Sequence, residues 1–222
     1  MYKNNLFHYY LRAMMKRNGI AEKLLQTGAV KLSPNQPYTW ASGWKSPIYC
    51  DNRKLLSFPY IRDFVKSELS NLIYSQYADA ELIAGVATAG IAWGALVADQ
   101  LKLPFIYVRP KPKEHGMGNQ IEGGYTAGQK TVVVEDLIST GKSSLRVVEV
   151  LRNAGMEIMG MAALFTYKLD EAENNFANAN VKYDALTDYG TLISIGLEKG
   201  IIAPGDEALL QQWRQNPSGW QK

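Results

Sequence analysis

The chain has 222 residues, 46% hydrophobic and 20% charged, the proportions of a globular protein that buries roughly 70–75% of its extended surface in one core. Lys and Arg number 24 against 21 Asp and Glu, and a net charge of +3 is too mild for a general nucleic-acid binder. One cysteine, Cys50, excludes an intrachain disulfide and cysteine-rich metal sites. The first 50 residues contain Pro34, Pro37, Pro47 and several aromatics, a texture that predicts a hood separate from the rest. Pro59 opens a helical pattern carried by Ile61, Phe64, Val65, Leu69, Leu72, Ile73 and Tyr77. Leu82–Val86 reads as a buried strand, and a small-residue helix follows from about Gly90 to Leu101. Phe105–Val108 and the β-branched run Thr131–Val134 are further strands. Lys142–Ala154 reads as a helix stopped by Gly155, Ile158–Phe165 as a strand and Asp170–Ala179 as a helix.

Strands alternating with helices predict an α/β fold: a mostly parallel central sheet flanked by helices. We expect one domain over residues 1–222, with a hood at about 1–55, a core at about 56–190 and a helical extension at 191–222. The most apolar stretch, 84–98, has 15 residues and is broken by Thr88 and three glycines, whereas a spanning helix needs about 20. Residues 1–17 lack an apolar signal core, so the expected location is cytoplasmic. In such sheets ligands bind beyond the carboxyl ends of the strands, which directs attention to the loops after Val86, Val108 and Val134.

After Val134 comes Glu135-Asp136-Leu137-Ile138-Ser139-Thr140-Gly141-Lys142-Ser143-Ser144, and then a helix. Adjacent carboxylates repel unless a cationic or hydrogen-bonding group lies between them. The hydroxyl-rich loop opening a helix is an anion site, and phosphate is the usual anion. A sugar phosphate satisfies both parts: carboxylates accept from ribose hydroxyls while the loop holds a phosphate. Gly141-Lys142-Ser143 does not complete a nucleotide-triphosphatase loop, because the position five before Gly141 is Asp136. The bland alternative is that Ser139 and Thr140 only cap a helix. A second stretch, Arg109-Pro110-Lys111-Pro112-Lys113-Glu114-His115-Gly116, follows a strand end, with no further strand expected before about Lys130. Loops longer than about 12–15 residues are commonly lids, and basic charge there suits a leaving diphosphate.

The strand, acidic pair and hydroxyl loop resemble the phosphoribosyl-diphosphate (PRPP) motif of type I phosphoribosyltransferases. Arg109, Lys113, His115 and Gly116 resemble the catalytic loop Arg-Lys-x-x-Lys-x-His-Gly of orotate phosphoribosyltransferases, with Pro110 where that family has its second residue, a lysine, and Lys111 next to it. Tyr38-Thr39-Trp40-Ala41-Ser42-Gly43-Trp44-Lys45-Ser46-Pro47 is similar to the family's hood segment, with Ala41 where many members have lysine. Gly85–Ile91 sits where the family binds diphosphate, with Thr88-Ala89 in place of a frequent Tyr-Lys. Tyr167 and Lys168 lie near the position where many members carry an arginine for the orotate carboxylate.

The resemblance implies the type I phosphoribosyltransferase fold, with a small N-terminal hood and a long flexible lid. It also implies transfer of ribose 5-phosphate from PRPP to orotate, a step of pyrimidine biosynthesis. Asp136, Glu135 and Lys113 are the implied catalytic residues. Arg109, Lys113, His115 and the loop of Glu135, Asp136, Leu137, Ile138, Ser139, Thr140, Gly141, Lys142 and Ser143 are the implied PRPP contacts. Ser139 and Tyr49 are the implied orotate contacts. Mg²⁺ is the implied cofactor, held mainly by the substrate diphosphate with no certain protein ligand. A homodimer with the lid acting in trans is implied, with neither nucleic acid nor membrane as partner. Two alternatives stay open: a phosphoribosyltransferase for a purine base, and a non-catalytic PRPP-binding regulator.

Overall fold

The computed structural model describes residues 17–40, 43–111 and 119–220. Two compact units are present, one formed by Met1–Ile61 with Thr187–Lys222 and the other by Arg62–Leu186.

The second unit holds most of a six-stranded sheet. Its strands are β5 (Leu82–Val86), β6 (Phe105–Val108), β7 (Ile121–Glu122), β8 (Lys130–Ile138), β9 (Glu157–Thr166) and β10 (Tyr183–Asp188), in the order β10-β9-β8-β5-β6-β7. The β5–β6, β5–β8 and β8–β9 pairs are parallel, and β7 runs antiparallel to β6. All five residues of β5 are buried, as expected for a strand covered on both faces. The helices are α2 (Pro59–Gln76), α3 (Ala89–Leu101), α4 (Lys142–Asn153) and α5 (Asp170–Asn178). Val147, Val148 and Leu151 of α4 and Ala172 and Phe176 of α5 pack on Val86, Val133, Met161 and Ala163 of the strands. Each fully buried Val or Leu contributes about 1.5–3 kcal/mol.

Two strands depart from expectation. The sequence reading ends the valine strand at Val134, but β8 continues through the acidic pair to Ile138, because the ten-residue β9 runs beside it and pairs as far as Ile138 with Thr166. The long loop after Val108 contains β7: Arg109 N–H donates to Gln120 O at 2.9 Å, and Val108 pairs with Ile121. Gly90 sets the approach of α3 to the sheet. A Cβ there would stand 2.5 Å from the Val134 carbonyl oxygen, so only glycine brings the start of α3 beside the end of β8.

The first unit contains helix α1 (residues 17–26), β1 (Val30–Leu32) paired antiparallel with β4 (Ile48–Cys50), and β2 (Tyr38–Thr39) paired with β3 (Lys45–Ser46). Its C-terminal part supplies α6 (Tyr189–Glu198) and α7 (Glu207–Gln215). Asp188 caps α6 by accepting from Thr191 N–H at 2.9 Å. The fully buried Trp213 of α7 donates to Lys45 O at 3.1 Å, and its ring lies 5.6 Å from that of Trp40. The C-terminal extension is thereby tied to the β2–β3 hairpin.

Candidate active site

The carboxyl ends of β5 and β8 and the first turn of α4 enclose a cleft of about 310 Å³. Val86, Ala87, Thr88 and Ala89 line one side, and Glu135, Asp136, Leu137, Ser139, Thr140, Gly141 and Ser143 line the other. The loops after β5 and β8 are thus brought together, as a ligand site of a parallel sheet requires. Both α3 and α4 begin here, and neither has a side-chain cap at its first turn. The uncapped N–H groups of two helices give the cleft two places favourable to negative charge.

Gly141 makes the turn from β8 into α4. Its φ is +78°, and a Cβ would stand 2.5 Å from the Phe176 ring. Asn175 Nδ2 donates to the Thr140 carbonyl oxygen at 2.9 Å, so α5 holds the loop from behind.

The two acids are not equivalent. Glu135 is 5% exposed, and both of its carboxylate oxygens have partners. Oε1 accepts from Asp136 N–H at 3.0 Å, and Oε2 accepts from the Ser144 hydroxyl at 2.8 Å. Burial, reinforced by the neighbouring Asp136, pushes the Glu135 carboxyl well above its ordinary value, while the Ser144 hydrogen bond opposes that shift. Asp136 is half-buried on the cleft wall.

The remaining expected residues are distributed more widely. Ile138 is buried in the core. Lys142 Nζ lies 2.6 Å from Glu171 Oε1, outside the cleft lining. Arg109 is held by β7: its guanidinium lies 3.7 Å from Glu122, and Gln120 Nε2 donates to its carbonyl oxygen at 2.8 Å. Lys111 is exposed. Lys113, His115, Gly116, Ala41 and Ser42 lie outside the described residues. Tyr49 belongs to the first unit and packs on Tyr38, with ring centroids 5.6 Å apart. Sequence reasoning missed Ser144, whose partner is nine positions away; the signal available was a second serine inside the helix start, turned inward. Val86 and Ala87, expected only as part of the Gly85–Ile91 stretch, line the cleft.

Residues 62–186 match the phosphoribosyl transferase domain family, the same span as the second unit. The chain is 53% identical over 201 residues to the orotate phosphoribosyltransferase of Porphyromonas gingivalis, covering 90% of this chain and 96% of that protein. The chain belongs to the orotate phosphoribosyltransferase family. The Bacillus subtilis member is 55% identical over 198 residues, covering 89% of this chain and 92% of its own. Among solved structures, the orotate phosphoribosyltransferase of Aeropyrum pernix superposes with a TM-score of 0.72 at 29% identity, covering 83% of this chain and 99% of that one. Among the described residues no helix is long and apolar enough to cross a membrane.

Proposed function

We propose that the protein transfers the ribose 5-phosphate group of PRPP to orotate, releasing diphosphate and forming orotidine 5′-monophosphate. The observation that carries this reading is the cleft itself, in which an acidic wall stands between two uncapped helix starts. PRPP carries phosphate at both ends of a ribose, so it matches two anion sites separated by a carboxylate. The 5′-phosphate takes the Ser139–Ser143 loop, the ribose hydroxyls face Asp136, and the diphosphate reaches the Thr88–Ala89 turn.

In the reaction the bond between ribose C1 and the diphosphate oxygen breaks, and a bond from orotate N1 to C1 forms with inversion. Positive charge develops on the ribose as the leaving group departs. Asp136 opposes that charge, with Glu135 behind it, from a site whose hydrogen bonds are already in place. Lys113, Arg109 and His115 close over the diphosphate and shield it from water. Leu137, Ile138, Gly141 and Lys142 belong to the PRPP loop through their backbone. Ser139 takes orotate.

Mg²⁺ fits this site as an ion carried in by substrate. The described residues gather no group of three or more His, Cys, Asp or Glu side chains, and Mg²⁺ ordinarily keeps several water and phosphate oxygens. When bound to the diphosphate it neutralises charge on the leaving group. We further read the chain as one cytoplasmic catalytic domain that works as a homodimer, each lid serving its neighbour.

The test is to incubate the protein with PRPP, Mg²⁺ and one base at a time. Orotate absorbance should fall, while adenine, guanine and hypoxanthine stay unchanged. Consumption of a purine in place of orotate would move the assignment to a purine phosphoribosyltransferase. Binding of PRPP with no base consumed would leave a regulator.

A further inference from the structure

We propose that Ser144 is a positioning residue for PRPP: its hydroxyl, held on Glu135, closes the base of the loop that receives the 5′-phosphate. The inference rests on the reading of the cleft as a PRPP site.

The loop of residues 136–143 begins on β8 and ends on α4, and its two ends must stay at a fixed separation for its N–H groups to converge on a ligand. Glu135 and Ser144 stand just outside those two ends. Ser144 Oγ donates to Glu135 Oε2 at 2.8 Å, and the residues are 1% and 5% exposed. The other carboxylate oxygen accepts from Asp136 N–H, which fixes the backbone of the residue on the cleft wall. One carboxylate therefore joins three points: the end of β8, the backbone of Asp136 and the first turn of α4.

A serine near a helix start commonly turns its hydroxyl back to the carbonyl four residues earlier. Here that carbonyl belongs to Thr140 and accepts instead from Asn175 Nδ2. Asn175 and Phe176 hold the middle of the loop, and the Glu135–Ser144 bond holds its base. Neither Ser144 nor Lys142 lines the cleft, whereas Ser143 does. The adjacent serines thus divide the work, Ser143 toward the ligand and Ser144 toward the scaffold.

Without the Ser144 hydroxyl, one oxygen of a buried carboxylate loses its partner. The carboxylate must then turn toward water in the cleft, and the loop base opens with it. The loss falls on phosphate binding. Loss of one such buried bond corresponds to about a tenfold change in PRPP affinity.

The experiment compares wild type with S144A, S144C and S144T. PRPP binding is measured by titration calorimetry with Mg²⁺, and orotate turnover is measured alongside. S144C keeps the branching of serine with a modestly larger atom and donates only weakly, whereas S144T restores a hydroxyl. We expect S144A and S144C to weaken PRPP binding and raise its KM about tenfold, with the KM for orotate unchanged. S144T should return within about threefold of wild type. E135Q combined with S144A should weaken PRPP binding no further than the worse single variant, because the two groups act as a unit.

If S144A fails to fold, S144C carries the comparison. PRPP binding unchanged in S144C would overturn the proposal. So would a loss in S144T equal to that in S144A. A wild type that binds PRPP yet leaves orotate untouched would sink the orotate reading and leave this inference standing.

Discussion

The loop between β8 and α4 and the loop between β6 and β7 both follow strand ends, yet they are built in opposite ways. The first is held by the buried Glu135–Ser144 bond, by the part-buried bond from Asn175 to Thr140 and by the Phe176 ring under Gly141. The second is anchored at its ends by the Arg109–Gln120 backbone bond and by a half-buried pair of Arg109 with Glu122 at 3.7 Å. A site that must present charge in fixed positions needs the first construction, because preorganised groups need not reorganise during reaction. A segment that must admit substrate and then cover it needs the second. The difference teaches that two loops following strand ends of one sheet can be held by contrasting means.

The largest effect should come from the rigid loop. Asp136→Asn removes the charge on the cleft wall and leaves the shape, and we expect kcat to fall by on the order of 10²-fold. Steady-state kinetics checks this. A normal kcat with only KM raised would mean that Asp136 binds the ground state and does not oppose the developing charge.

The second prediction concerns the cationic loop and the proposed dimer. Lys113→Ala should be nearly inactive, as should Asp136→Asn. If the lid acts in trans, mixed dimers contain one site with both defects and one with neither. Mixing equal amounts should restore up to roughly a quarter of wild-type activity, since transition-state stabilisation needs both groups at one site. If exchange is verified by mass and activity stays absent, Lys113 serves its own subunit.

Much of this contrast was legible in the sequence, and the parts that were not have physical reasons. β5 and β6 were predicted with their observed ends, because a short apolar run between polar residues has one solution in a covered sheet. The acidic pair and hydroxyl loop were located because like charges at a strand end call for a ligand or a partner. The extension of β8 past Val134 was missed, because pairing with β9 overrides the local preference of Glu135 and Asp136. The two-residue β7 is too short for any periodicity to reveal. The unequal roles of the two acids depend on Ser144 reaching back across nine positions, a contact made only when the helix folds against the strand.

Glycines provide a third and smaller test of the contrast. Gly141→Ala places a Cβ against the Phe176 ring at a φ of +78°, and should cost about 1–3 kcal/mol. Thermal unfolding should then shift down by roughly 2–10 °C. Gly124, after β7, has nothing within 4 Å of its would-be Cβ, so Gly124→Ala should leave Tm unchanged. Equal shifts in the two variants would show that Gly141 is no more tightly held than the open turn after β7.

The smallest effect is a pH dependence confined to the rigid loop. Burial, with Asp136 beside it, raises the Glu135 carboxyl above the ordinary glutamate value of 4.5. Between that value and the raised one, the folded chain keeps a proton that the unfolded chain has released. The unfolded state then binds fewer protons, so stability falls as pH rises through this window. Below about 4.5 the Glu135 contribution is fully present, and above the raised value it is fully lost. Glu135→Gln has no proton to release at this position. The Tm of wild type relative to Glu135→Gln should therefore decline as pH is raised above about 4.5. The difference cancels the titrating groups remote from this position and isolates Glu135 with its neighbour Asp136. A relative Tm that climbed with pH would mean that the Ser144 hydrogen bond outweighs burial and holds Glu135 as the anion. The rigid loop would then owe its stability to a buried charge, and Asp136 would face the ribose with a second negative group behind it.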